Sequence, residues 1–281
     1  MEHRRKGGRR PDSRSRRARL TRTLVVAAIV SLPLLILLIL NLGSTPSTSS
    51  SLPAGSSAAE LRIDPGGVLR IEPWTLLAAL HAATPVYPSA RVATATSTLR
   101  APPIGGAVVL PALRAESGRL QLRLPGPPND ASGWVAANDV ALTRTAYFVV
   151  VDLTGHELLL FDRGKLALRA PADVGALSTP TPLGSFFVTA VAEAPSPDYG
   201  PFVVVTSGIV EGTSDWHQGD NAVVSINGPV DSPSVIPAGG AATTTGSVRL
   251  NDADLERLAV LPVGAPVDVV GTVRSIREAG G

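Results

Sequence analysis

The sequence predicts a mainly β protein, and three observations carry that prediction. Leu120, Leu122 and Leu124 alternate with Arg119, Gln121 and Arg123, the two-residue period of a half-buried strand. Val149, Val150 and Val151 form an unbroken β-branched run, the pattern of a strand buried on both faces. The 27 Gly and 25 Pro cut the chain into short apolar runs, so that only "NDADLERLAV" at 251–260 reads as a well-signalled helix.

The elements follow in order from the N-terminus. Residues 1–22 carry ten Lys/Arg against Glu2 and Asp12, leaving 15 of the 25 basic and 21 of the 23 acidic residues for the rest of the chain. The basic excess therefore belongs to a short tail, and the remainder is mildly acidic. A nucleic-acid partner is excluded on that ground, because its footprint would be a basic patch on the folded part. Residues 23–42, "TLVVAAIVSLPLLILLILNL", contain no charge, and about 20 apolar residues suffice to cross a bilayer. A cleaved signal peptide usually has an apolar region of only about 7–15 residues, so the longer run favours an uncleaved single-pass anchor. The preceding arginines put the N-terminus in the cytoplasm and everything after the span outside. Residues 43–60, rich in Ser, Thr, Pro and Gly, have too little apolar surface to fold and read as a flexible linker.

Residues 61–144 read as a small β module. Its start, "EPWTLLAALHAA", has apolar spacing that permits a short helix before the strands begin. The stretch "RLPGPPNDASGWVAANDVAL" resembles the end of the small SH3-like modules that precede some bacterial cell-wall domains. Residues 145–271 form a second β segment, with turns at 154–156 and Arg163–Gly164, and Pro180 and Pro182 fixing an extended entry to "GSFFV". Its one helix has Asn251 as N-cap and acidic residues in the first turn. Residues 272–281 read as a C-terminal tail.

Six stretches in order, "VVD", "VGALSTPTPLGSF", "YGPF", "SING", "TTGSVRLNDADLERL" and "LPVGAPVDVV", resemble the catalytic domain of the L,D-transpeptidases. That family cross-links peptidoglycan through a Cys acyl-enzyme. The resemblance implies an L,D-transpeptidase-like β-sandwich or barrel, peptidoglycan stem peptides as ligands and other cell-wall enzymes as partners. It sets the nucleophile of the family's S-H-G-C-[IV]-R on Ser247, the motif His on Thr245 and the general base of I-H-G on Asn227. Gly228, Gly246, Val248 and Arg249 keep the family pattern.

The chain has no cysteine, so a thiol nucleophile and thiolate–metal sites are excluded. A serine hydroxyl needs an adjacent base, and on the extracytoplasmic side of the predicted span the candidates are His81, His156, His217 and Lys165. His156 and Lys165 fall at predicted turns and His81 in the predicted helix, which leaves His217 in "SDWHQGDN". Asn227 cannot take up a proton near neutral pH. Asp252 and Asp254 are better explained by the helix start. No His/Asp/Glu cluster has metal-ligand spacing, and "PAGGAATTTG" lacks the Lys of a phosphate-binding loop. No cofactor is implied. The expectation is a membrane-anchored, catalytically degenerate member that binds or regulates cell wall, with Gly228, Gly246, Arg249 and His217 as binding candidates. The alternative is an active acyltransferase using Ser247.

Overall fold

The computed structural model describes residues 62–63, 68–100, 107–210, 222–230 and 235–278. The basic tail, the apolar span and the linker lie outside the described residues, as does His217. Among the described residues no helix is long and apolar enough to cross a membrane.

Strands dominate the described residues. A ten-stranded mixed sheet runs Lys165–Pro171, Glu157–Asp162, Tyr147–Asp152, Pro266–Val270, Gly184–Ala192, Val203–Val210, Ala222–Asn227, Val248–Arg249, Asp173–Gly175 and Ala241–Thr244. Ala172 alone separates Lys165–Pro171, at one edge, from Asp173–Gly175 near the other. The sheet therefore curls back towards itself. Val149, Val151, Leu160, Phe186, Ile226, Val267 and Val269 point into the space it encloses, with Leu250, Leu255 and Leu258 closing one side.

The valine run is buried on both faces, as its composition requires. Val149 and Val151 join the enclosed core, while Val150 faces outward with Phe148, Leu159 and Phe161. That outer face is covered by Leu69 and Ile71, next to a small sheet of Arg62–Ile63, Val68–Arg70 and Ser275–Arg277. The segment expected as a C-terminal tail therefore contains a strand, Ser275–Arg277, paired in parallel with Val68–Arg70. The reason is apolar: Val273 and Ile276 pack against the outer cluster. Arg163 and Gly164 both have positive φ and make the tight turn expected between their strands.

A five-stranded antiparallel sheet runs Ser132–Ala136, Arg119–Arg123, Val108–Glu116, Thr75–Leu80 and Ala141–Thr145. The helix expected within "EPWTLLAALHAA" is instead the strand Thr75–Leu80. Its apolar run satisfies either period, and pairing on both edges decides the outcome. It bonds to Val108–Glu116 on one side and Ala141–Thr145 on the other, and buries Leu77, Ala78 and Leu80.

One strand serves both bodies of structure. Phe186 and Phe187 are neighbours on it and face opposite ways, Phe186 into the curled sheet and Phe187 into the core of the five-stranded sheet. The loop 124–131 makes the polar counterpart. Asn129 donates through Nδ2 to the Ile209 carbonyl and accepts from the Ile209 N–H through Oδ1, both at 2.9 Å. Asp130 Oδ1 accepts from the Ser185 N–H at 2.7 Å.

The helix Asp252–Glu256 begins after Asn251, as expected, but the Asn251 side chain does not cap it. Its Oδ1 accepts from the Ile236 N–H at 2.8 Å and pins the preceding loop to the helix start.

Candidate functional site

Strand register brings the candidate residues together. Val248–Arg249 runs parallel to Ala222–Asn227, with Ile226 level with Val248 and Asn227 level with Arg249. Ser247 is therefore carried level with Ser225, and the two hydroxyl oxygens lie 3.0 Å apart. Side chains two apart on a strand share a face. Ser225 accordingly reaches the Asn227 carboxamide, donating to Oδ1 at 3.2 Å. Asn227 Nδ2 donates to the Gly228 carbonyl at 2.9 Å, which fixes the amide with its oxygen towards Ser225. Ser225 and Asn227 are buried, and Ser247 is half-buried.

The direction of each proton follows from these contacts. The Asn227 carbonyl oxygen has no hydrogen, so the single Ser225 proton points to it. At the Ser225–Ser247 contact Ser225 is then the acceptor and Ser247 the donor. The series Ser247, Ser225, Asn227 ends in a neutral amide. General-base catalysis needs a terminal group that can hold the proton taken from the nucleophile. Within this hydrogen-bonded series no such group is present.

The loop carrying Ser247 is braced from within. Thr244 is buried, and its hydroxyl accepts from the Gly246 N–H at 3.2 Å while donating to the Ser247 carbonyl. The Thr244 carbonyl accepts from the Ala176 N–H and the Thr179 hydroxyl, which tie the loop to the segment before Pro180. Thr245, by contrast, is exposed. Arg249 donates through Nη1 to the Val230 carbonyl, so its guanidinium braces the chain following Gly228. Gly228 is packed so closely that a Cβ there would lie 2.8 Å from the Gly200 nitrogen and 2.9 Å from Asp252 Oδ1.

Gly246 has φ +106, and a Cβ added to it would meet a Val210 methyl at 2.6 Å. Gly246→Ala is therefore expected to lower stability by about 1–3 kcal/mol from the backbone conformation alone, with the methyl contact adding to it. Urea unfolding monitored by circular dichroism measures this. An unchanged midpoint would show that the loop relaxes freely.

Ser247 and Asn227 thus lie in one site, joined by a residue that the motif reading does not mark. Ser225 carries a signal in the sequence only once the strand is known, through its two-residue spacing from Asn227. Among the described residues no group of three His, Asp or Glu side chains could hold a metal ion.

Comparison with known proteins gives this geometry its context. Residues 146–269 match the family model of the L,D-transpeptidase catalytic domain, YkuD. A search of curated proteins found no match. Among solved structures, a mutant L,D-transpeptidase of Enterococcus faecium is 24% identical over 44% of this chain and 49% of its own, with a TM-score of 0.32. This chain thus spans about half the length of that protein. An L,D-transpeptidase of Mycobacterium smegmatis is 16% identical over 54% of this chain and 91% of its own, with a TM-score of 0.34. One from Mycobacterium tuberculosis is 17% identical over 50% and 78%, with a TM-score of 0.30. Residues 146–269, somewhat under half of the chain, are thus similar to the L,D-transpeptidase catalytic domain family.

Proposed function

We propose that this protein is a membrane-anchored, extracytoplasmic member of the L,D-transpeptidase family that binds peptidoglycan stem peptides without cross-linking them. In this reading residues 1–22 stay in the cytoplasm, 23–42 span the membrane, and 43–60 tether the folded part outside. The five-stranded sheet acts as an SH3-like companion to the catalytic-type domain. Binding would organise the wall or regulate an active cell-wall enzyme.

One observation carries the loss of catalysis. The proton of Ser247 points through Ser225 to the Asn227 amide, which cannot retain it. A serine in that state lacks the ionised population that makes a cysteine thiolate reactive. The mildly acidic character of residues 23–281, against the basic tail, agrees with a partner other than nucleic acid.

The test uses the full chain in detergent micelles, incubated with a carbapenem, which by family resemblance acylates the nucleophile. Intact-mass spectrometry is expected to show no increment. A stoichiometric adduct that disappears in Ser247→Ala would instead establish an active serine acyltransferase. The binding half of the reading is measured by co-sedimentation with purified peptidoglycan, where retention no greater than that of a control protein removes it.

A further inference from the structure

We infer that Ser247 Oγ recognises its ligand as a hydrogen-bond acceptor, so that the site selects a peptide amide N–H rather than a carbonyl or carboxylate oxygen. The inference deepens the proposed function and rests on the peptide-binding part of it.

Two donors that an oxygen ligand would need are already spent inside the protein. The first is the Ser247 hydroxyl proton. The Ser225–Asn227 contact is 3.2 Å between two oxygens, and without a hydrogen between them their lone pairs would repel. The Ser225 proton must therefore lie there. Turning the Asn227 amide over would relieve that requirement, but it would set the amide oxygen 2.9 Å from the Gly228 carbonyl oxygen. The orientation is locked at its far end, and Ser247 has to donate inward to Ser225 at 3.0 Å. What Ser247 offers outward is lone pairs.

The second spent donor is the Gly246 N–H. Beside a nucleophile, a backbone N–H of this kind is the group that would stabilise an oxyanion. Here it is directed to the Thr244 hydroxyl at 3.2 Å. Thr244 is buried and also bonded to the Ser247 carbonyl and, through its own carbonyl, to Ala176 and Thr179. Its hydroxyl is not free to turn away. Two independent contacts thus give the loop around Ser247 the same polarity, and a half-buried acceptor without a donor is costly once a ligand displaces its water. A ligand that covers Ser247 must bring an N–H to it.

The experiment measures binding of a fluorescein-labelled stem tetrapeptide to the full chain in detergent micelles by fluorescence anisotropy. It is repeated with a series of depsipeptides, each replacing one amide N–H by an ester oxygen. One member of the series is expected to bind about tenfold more weakly than the parent, the usual scale for a buried hydrogen bond lost. In Ser225→Ala the Ser247 hydroxyl is released to donate outward, and the discrimination against that ester is expected to fall to within about twofold. Thermal melts of Ser225→Ala establish that the variant is folded. Equal binding of every analogue by the wild type overturns the inference alone and leaves peptide binding standing. Retention of the tenfold difference in Ser225→Ala also overturns it. No binding of the parent peptide removes the inference together with the proposed ligand.

Discussion

Phe187→Ala is expected to lower stability by about 3–5 kcal/mol, the usual range for truncating a fully buried Phe. Phe187 is 1% exposed and lies on the strand Gly184–Ala192 of the curled sheet, yet packs into the core of the five-stranded sheet. That core also contains Leu80, Leu110, Leu120, Leu122 and Val135. Removing the ring leaves a cavity in the core of the five-stranded sheet, which, among the described residues, Phe187 alone fills from the curled sheet. The backbone on either side is also committed, since the Phe187 N–H donates to the buried Ser207 hydroxyl at 3.2 Å. Phe187→Leu keeps most of the volume and is expected to cost less than half as much. Urea unfolding followed by circular dichroism measures both. Leu177→Ala serves as the control, because Leu177 is 100% exposed and its truncation removes no packing. A Phe187→Ala midpoint equal to that of the control would show that the two cores are independent.

The second large effect depends on pH. Asp268 lies on the central strand Pro266–Val270, level with Ser185 on one side and Val150 on the other, and is buried. Burial pushes its carboxyl from the ordinary 3.8 up to about 7, opposed by a hydrogen bond from Ser185 and by Arg123, and reinforced by the negative charge of Asp130. One carboxyl oxygen, Oδ2, has no hydrogen-bond partner among the described residues, which agrees with a group that is more stable there when protonated. Between about pH 4 and 7 the folded chain therefore holds a proton that the unfolded chain has released. Stability from this group is complete below about 4, declines through that window and is lost above about 7. Three pH units at 1.36 kcal/mol each set the upper scale at roughly 4 kcal/mol. Asp268→Asn cannot ionise and keeps the shape. The variant is expected to match the wild type near pH 4 and to exceed it by several kcal/mol at pH 8. Denaturant unfolding across that range isolates the group as the difference between the two proteins. A constant difference would mean that Asp268 is ionised throughout.

The sheets were legible where local pattern and tertiary demand agree. The valine run at 149–151 admits one environment, and Arg163–Gly164 between two apolar runs admits one kind of turn. "TLLAAL" is different, because an apolar run that short carries both periods, and only the strands on either side decide between them. They come from residues 108–116 and 141–145, too far along the chain for a local pattern to register. The same holds for the C-terminal segment, where Val273 and Ile276 look like tail residues until the outer face of the curled sheet is known to need them.

The candidate site divides in the same way. Ser247, Asn227, Gly246 and Arg249 were reachable from motif order alone, and strand register does bring Ser247 and Asn227 into one site. Ser225 was not reachable, because nothing marks a serine in "VVSING" until the parallel strand sets Ser247 beside it. The inward direction of the Gly246 N–H was hidden for a related reason. It depends on the Thr244 side chain, and threonine two residues before a glycine has no pattern of its own.

The Asn129 clamp has a consequence for where this chain can be cut. The family match begins at residue 146, which invites expression of the catalytic-type domain from that point. Such a fragment would lose Asn129, whose side chain bonds both the N–H and the carbonyl of Ile209. Ile209 is followed directly by Val210, the residue against which Gly246 is packed. A fragment trimmed to the family boundary would thus be disturbed one residue from the loop it was made to study, and inactivity measured on it would say little about Ser247.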